Sequence, residues 1–159
     1  MHSLLTVYKV MRIEEEIQST KFEDNYHKAV VNLTYTYGWL NNILRVEFER
    51  NNLTHQQFNV LRILRGQYPN PATVNLIKER MLDKMSDASR IVDRLVQKGL
   101  VSRCTNNKDR RAVDIRISDS GLEILVKMDT EFKTKELLKN NLTDEDAGKL
   151  SDLLDKLRG

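Results

Sequence analysis

Arg90 and Arg94 lie four residues apart, and Lys108, Arg110 and Arg111 crowd into a short polar run; cations placed this way suit phosphate neutralisation better than bond-breaking chemistry. Residues 78–116 carry eleven Lys/Arg against six Asp/Glu, a local net charge of +5, which leaves −2 for the rest of a chain whose total is +3. A solvated face on an ordinary domain can carry the same excess, so the charge points to a phosphate-facing surface only together with the elements that would present it. Catalysis finds no comparable support. The three histidines, His2, His27 and His55, are scattered, no HExxH or CxxC pattern is present, and no Gly-rich loop follows a strand, so no enzyme, metal site or cofactor is expected.

Hydrophobic residues make up 40% and charged residues 31% of the 159, the balance of one folded domain over 1–159 rather than of a disordered or membrane chain. No apolar run approaches the roughly 20 residues that span a bilayer, and the stretch from Met1 to Arg12 lacks the apolar segment and cleavage site of a signal peptide. A lone cysteine, Cys104, can make neither an internal disulfide nor a multi-cysteine zinc site, which fits a reducing compartment. The chain is therefore expected in the cytoplasm, with no membrane partner.

The elements that must position the cations follow from periodicity. Between Glu14 and Arg50 there is no proline, and Val30, Leu33, Tyr37, Leu40, Leu44 and Phe48 recur at steps of three and four, which predicts one long amphipathic helix. Thr54 and Gln57 have capping-box spacing and open a second helix with Phe58, Leu61 and Leu64 as its stripe, broken at Gly66, Pro69 and Pro71. A short third helix over 73–82, a tight turn at Asp83-Lys-Met, and a fourth helix capped by Ser86 and reaching Lys98 make a helix-turn-helix. In the fourth helix Ala88, Ile91, Val92, Leu95 and Val96 take one face, and Gly99 supplies the stop. The period then drops to two: Val113, Ile115 and Ile117 alternate with Asp114 and Arg116, Leu100–Thr105 is the partner strand, and the basic 106–111 run is the hairpin loop. Ser118 starts a further helix to about Lys139, and Thr143 caps a last one carrying Leu150, Leu153, Leu154 and Leu157.

The sequence Ser86-Asp-Ala-Ser-Arg-Ile-Val-Asp-Arg-Leu-Val-Gln-Lys-Gly-Leu-Val101, the run Asp109-Arg-Arg-Ala-Val-Asp-Ile-Arg-Ile-Ser118 and the following Gly121, in this order of elements, resemble the MarR family of regulators over about residues 25–158. The resemblance implies a mainly α fold with a small β-hairpin wing: a winged helix-turn-helix over 54–118, flanked by dimerisation helices at 14–50 and 119–158. It implies a homodimer that binds double-stranded DNA at a pseudo-palindromic operator, usually as a repressor, and often a small phenolic or lipophilic effector that releases the DNA. The alternative is a winged-helix module that binds protein and no longer reads DNA; it would be expected to lack the cations at 90, 94, 108, 110 and 111.

Within that frame Ser86, Asp87, Ser89, Arg90 and Arg94 would line the recognition helix, where an arginine can bond guanine O6 and N7 together. Lys108, Arg110 and Arg111 would serve the wing, with Arg111 entering the minor groove. Asp109, a carboxylate that phosphates would repel, is expected to stabilise the wing by pairing with Arg94 or Arg111. Lys84 and Arg103 are possible phosphate contacts. Tyr26, Tyr37, Leu40, Phe58 and Leu61, with Tyr35 and Trp39 nearby, could line an effector pocket, although such residues more often fill a dimer core. Oxidant-sensing relatives carry their cysteine in the first helix, so Cys104 reads as structural.

Overall fold

The computed structural model describes residues 11–105, 113–132 and 134–159. They form eight helices and one hairpin: α1 (Ile13–Glu16), α2 (Asn25–Arg50), α3 (His55–Gln67), α4 (Val74–Arg80), α5 (Ala88–Gln97), β1 (Val101–Thr105), β2 (Val113–Ile117), α6 (Asp119–Glu131), α7 (Thr134–Lys139) and α8 (Asp144–Arg158). Contacts gather into two compact units, one ending at Leu44 and the other running Arg45–Gly159, with α2 passing from the first into the second.

In the first unit, two helices stand where one continuous helix from Glu14 is expected. Gln18 takes φ +52°, and the Ser19 N–H reaches back to the Glu14 carbonyl at 3.1 Å, a left-handed ending that stops α1 after one turn. α2 then starts afresh behind Asp24, whose carboxylate accepts the His27 N–H at 2.8 Å. The two helices are tied by Lys28 to Glu14 and by Tyr35, whose hydroxyl donates to Glu16 at 2.6 Å. The Lys28 ammonium holds the Glu14 carboxyl below its ordinary range, and the Glu16 carboxylate raises the Tyr35 phenol.

The second unit is built around α3. Its capping box forms as expected, with the Thr54 hydroxyl accepting the Gln57 N–H at 3.2 Å and the Gln57 side chain accepting the Thr54 N–H at 3.1 Å. Gly66 does not break this helix, which continues through it to Gln67. The buried face is wider than Phe58, Leu61 and Leu64: Val60, Leu61, Ile63 and Leu64 are buried, while Phe58 is half-buried and stacks on Phe48 at 4.7 Å. Against this face pack Ile77 and Met81, Ala88, Val92 and Leu95 of α5, Ile115 of β2, and Leu125 and Met128 of α6, all buried. Arg62 and Arg65 both donate to Asp129, at 2.8 and 2.6 Å, and clamp α3 to α6 from the solvent side.

The hairpin is antiparallel, with Val101 opposite Ile117 and Thr105 opposite Val113. Ala72, just before α4, adds a bridge to its inner strand through two hydrogen bonds of 2.9 Å with Ile115. α4, the turn, α5 and this hairpin constitute a winged helix-turn-helix. Beyond it, the single helix expected to reach Lys139 ends at Glu131, because Phe132 leaves helical geometry at φ −118°, ψ 95°. α8 has the expected capping box at Thr143 and Asp146, and Leu150, Leu153 and Leu157 of its stripe are exposed. Among the described residues no helix is long and apolar enough to cross a membrane.

Gly99 closes α5 with φ +71°, a conformation that glycine adopts without strain. Gly121 has a different reason. A Cβ there would stand 2.3 Å from the Leu100 carbonyl oxygen, because the first turn of α6 presses onto the exit from α5. Gly121→Ala should therefore destabilise the chain by about 1–3 kcal/mol in urea unfolding. Gly148→Ala, in open space within α8, should instead stabilise it by about 1 kcal/mol.

His55 stacks on Phe48 at 5.3 Å, and burial lowers its pKa below the usual 6.5 despite the opposing charge of Asp83. The unfolded chain then binds a proton that the folded chain refuses, so stability should hold above about pH 6.5 and fall as the pH drops below it. Thermal unfolding of the chain and of His55→Phe from about pH 7.5 to about pH 5.5 should show a smaller decline for the variant. Parallel curves would remove His55 as the cause.

Candidate nucleic-acid interface

α5 is held at both ends and along one side, which leaves a fixed outer face. Ala88, Val92 and Leu95 are buried, whereas Ser89, Arg90, Asp93 and Arg94 are exposed. The N-cap is Asp87, whose carboxylate accepts the Arg90 N–H at 3.1 Å, and not Ser86 as the sequence suggests. The Ser86 hydroxyl donates instead to the Asp83 carboxylate at 2.6 Å, so the stronger acceptor at 87 takes the cap. Asp83 also accepts the Met85 N–H at 3.0 Å. The Ser86 and Met85 hydrogen bonds, in that order, hold the Asp83 carboxyl below its ordinary pKa. At the other end the Lys98 ammonium donates to the Asn52 carbonyl and to Gln57 Oε1, the latter at 3.0 Å.

Between the starts of α3 and α5 lies an open cleft of about 330 Å³, lined by Thr54, Gln56, Gln57, Ser86, Asp87, Arg90, Ile91 and Arg94. Ser86, Asp87, Arg90 and Arg94 are thus brought together, and Ser89 sits exposed on the same helix. Thr54 is read from the sequence only as a helix cap, and Gln56 is not singled out at all. The capping box is the signal that would have placed them at an exposed helix start, but not beside α5.

The remaining cations differ in how they are engaged. Arg103 pairs with Asp93 at 2.5 Å and donates to the Ser89 carbonyl at 3.4 Å, tying β1 to α5. The Lys84 ammonium donates to the Glu79 carbonyl, and Arg116 donates to the Pro69 carbonyl at 2.8 Å. Arg90 and Arg94 have no ion-pair partner among the described residues. Two like charges one turn apart repel, so an open cleft that holds both is electrostatically suited to an anion. The residues assigned to the wing, Lys108, Asp109, Arg110 and Arg111, lie outside the described residues.

Cys104 is exposed on β1, its Sγ 3.9 Å from the Asp114 carbonyl. The residues named for an effector pocket divide between the two units. In the first, Tyr26 and Tyr37 are exposed and Leu40 is half-buried; in the second, Phe58 is half-buried and Leu61 is fully buried. Among the described residues no group of three His, Cys, Asp or Glu is placed to hold a metal ion.

Residues 53–113 match the model of the MarR family. The chain is 38% identical over 73 residues to the HTH-type transcriptional repressor MdtR of Bacillus subtilis (strain 168), a match covering 46% of each chain, so it spans about half the length of this curated relative. It is similar in structure to a MarR transcription factor from Planctomyces limnophilus, with TM-score 0.63, 28% identity, and 87% of this chain and 98% of that one covered. It shares its fold with an organohalide-sensing transcriptional regulator solved with bound 2,4-dichlorophenol, at TM-score 0.75 and 20% identity over 99% of this chain and 88% of that one. The family model lies on the helix-turn-helix and reaches the first residue of β2 described above, so it is this part of the chain that is similar to the MarR family.

Proposed function

We propose that the chain is a sequence-specific duplex-DNA-binding transcriptional regulator, acting as a repressor and not as an enzyme. The observation that carries this reading is the pair Arg90 and Arg94, held without ion-pair partners among the described residues on the outer face of a helix whose ends and inner side are fixed. In a helix-turn-helix the second helix enters the major groove with its first turns against base edges. Arg90, Ser89 and Ser86 then face bases. Arg94 neutralises a phosphate beside the groove, the Thr54–Gln56 end of α3 offers uncharged hydrogen-bonding groups next to it, and the Asp87 carboxylate fixes the helix start. The engaged cations Arg103 and Lys84 act first as braces for this surface.

The same reading makes the chain a homodimer on a pseudo-palindromic operator. The dimerisation helices are those of 14–50 and 119–158, and the exposed leucines of α8 form part of the contact. Arg111 enters the minor groove and Asp109 steadies the wing. The phenol-bound relative favours a small phenolic or lipophilic compound as the signal that releases the DNA.

Selection of duplexes from a randomised pool should recover a palindrome with half-sites about one helical turn, or roughly 34 Å, apart. Binding should weaken steeply with salt, as counterions return to the phosphates. Arg90→Ala should relax the preference at one base position at a cost of about 1–3 kcal/mol, whereas Arg111→Ala should lower affinity for all sequences alike. Equal, sequence-independent losses for both would remove base reading from Arg90. Failure to bind any duplex at low salt would overturn the function and leave a protein-binding winged helix in its place.

A further inference from the structure

The turn between α4 and α5 presents an apolar side chain in an unusual way. Met85 is 94% exposed and Leu82, three residues before it, is 75% exposed, in a segment otherwise made of charged and polar groups. An exposed methionine on a slack loop would mean little, but this turn is built. The Leu82 N–H donates to Asn59 Oδ1 on α3 at 2.9 Å, the Met85 N–H donates to Asp83 Oδ1 at 3.0 Å, and the Ser86 hydroxyl donates to Asp83 Oδ2 at 2.6 Å. The Lys84 ammonium returns to the last turn of α4 at the Glu79 carbonyl. These four hydrogen bonds fix backbone and polar groups and leave the two apolar side chains outside.

Met85 stands two residues before the α5 N-cap and directly before Ser86, which lines the cleft shared by Arg90 and Arg94. It is therefore at the end of the helix that meets base edges first when such a helix enters a major groove. The one apolar group that B-DNA offers there is the C5-methyl of thymine. A methionine has the length and rotational freedom to settle on such a methyl without demanding an exact geometry. We propose that Met85 is a specificity residue that reads a thymine methyl in each half-site, beside the bases read by Arg90. This inference rests on the DNA-binding function proposed above and adds to it a contact that carries no hydrogen bond.

The test uses the full chain and the duplex recovered by selection, with single thymines replaced in turn by deoxyuridine, which removes the methyl and nothing else. Replacing the contacted thymine in one half-site alone should weaken binding of the unaltered chain about four-fold, the effect of exposing one buried methyl-sized group. The same replacement should leave Met85→Ala unaffected, because its methyl contact is already gone. Arg90→Ala should keep the full methyl dependence. Unfolding curves for Met85→Ala should match those of the unaltered chain, since the residue is exposed. If no thymine methyl matters, or if its loss matters as much to Met85→Ala, the inference falls while the regulator reading stands. If Met85→Ala binds DNA normally but changes the oligomeric state, the side chain belongs to a protein contact and the inference is again overturned. If no duplex binds at all, both fall together.

Discussion

The second unit depends on one buried amide. Gln57 is 3% exposed, and its side-chain oxygen accepts both the Thr54 N–H and the Lys98 ammonium. The first bond sets where α3 begins, and the second ties the end of α5, where Gly99 stops the helix, to that point. A charge-assisted hydrogen bond to a buried acceptor is stronger than a neutral one, and losing either donor leaves the oxygen underpaired in an apolar setting. Apolar packing of Val92 and Leu95 against Val60, Leu61 and Leu64 brings the two helices together, but packing tolerates sliding. The Gln57 junction does not, and it fixes which residues of α5 face outward.

The hairpin adds a second fixed point. Ile115 bonds across to Ala72 as well as to β1, so the inner strand is shared between the wing and the start of α4. Arg103 then reaches from β1 to Asp93 and the Ser89 carbonyl on α5. Three elements that touch few common residues in sequence are in this way referred to one frame. The cation that does this bracing is engaged in the fold before any ligand arrives.

Much of this was legible because the determining chemistry is local. Thr54 with Gln57, Thr143 with Asp146 and Gly99 each settle their geometry within three or four residues, and the alternation from Val113 to Ile117 needs only a strand with one buried face. What was not legible depends on competition or distance. The apolar period that marks the first long helix begins only at Val30, inside α2, and the proline-free stretch before it gives no sign of the left-handed Gln18 and the Asp24 cap that separate α1 from α2. Ser86 and Asp87 are both fair caps by type, and the choice turned on Asp83 capturing the serine hydroxyl. The exposed face of α5 could be read from its amphipathic pattern. Its neighbours Thr54 and Gln56 could not, because they arrive through the packing of α3.

The closeness of Gly121 to the Leu100 carbonyl has a mechanical side. That carbonyl accepts the Ser118 N–H at 3.0 Å, the Ser118 hydroxyl donates to the Gly99 carbonyl at 2.8 Å, and the Leu100 N–H donates to the Leu95 carbonyl at 3.0 Å. The start of α6 and the exit from α5 therefore meet main chain to main chain at Ser118 and Leu100, with the short Ser118 side chain as a second link. A main-chain contact has less room to adjust than one between long side chains, so a displacement of α6 strains the Leu100 hydrogen bond before it strains anything softer. The position of α6 is thus a reference for the end of the helix that carries Arg90 and Arg94.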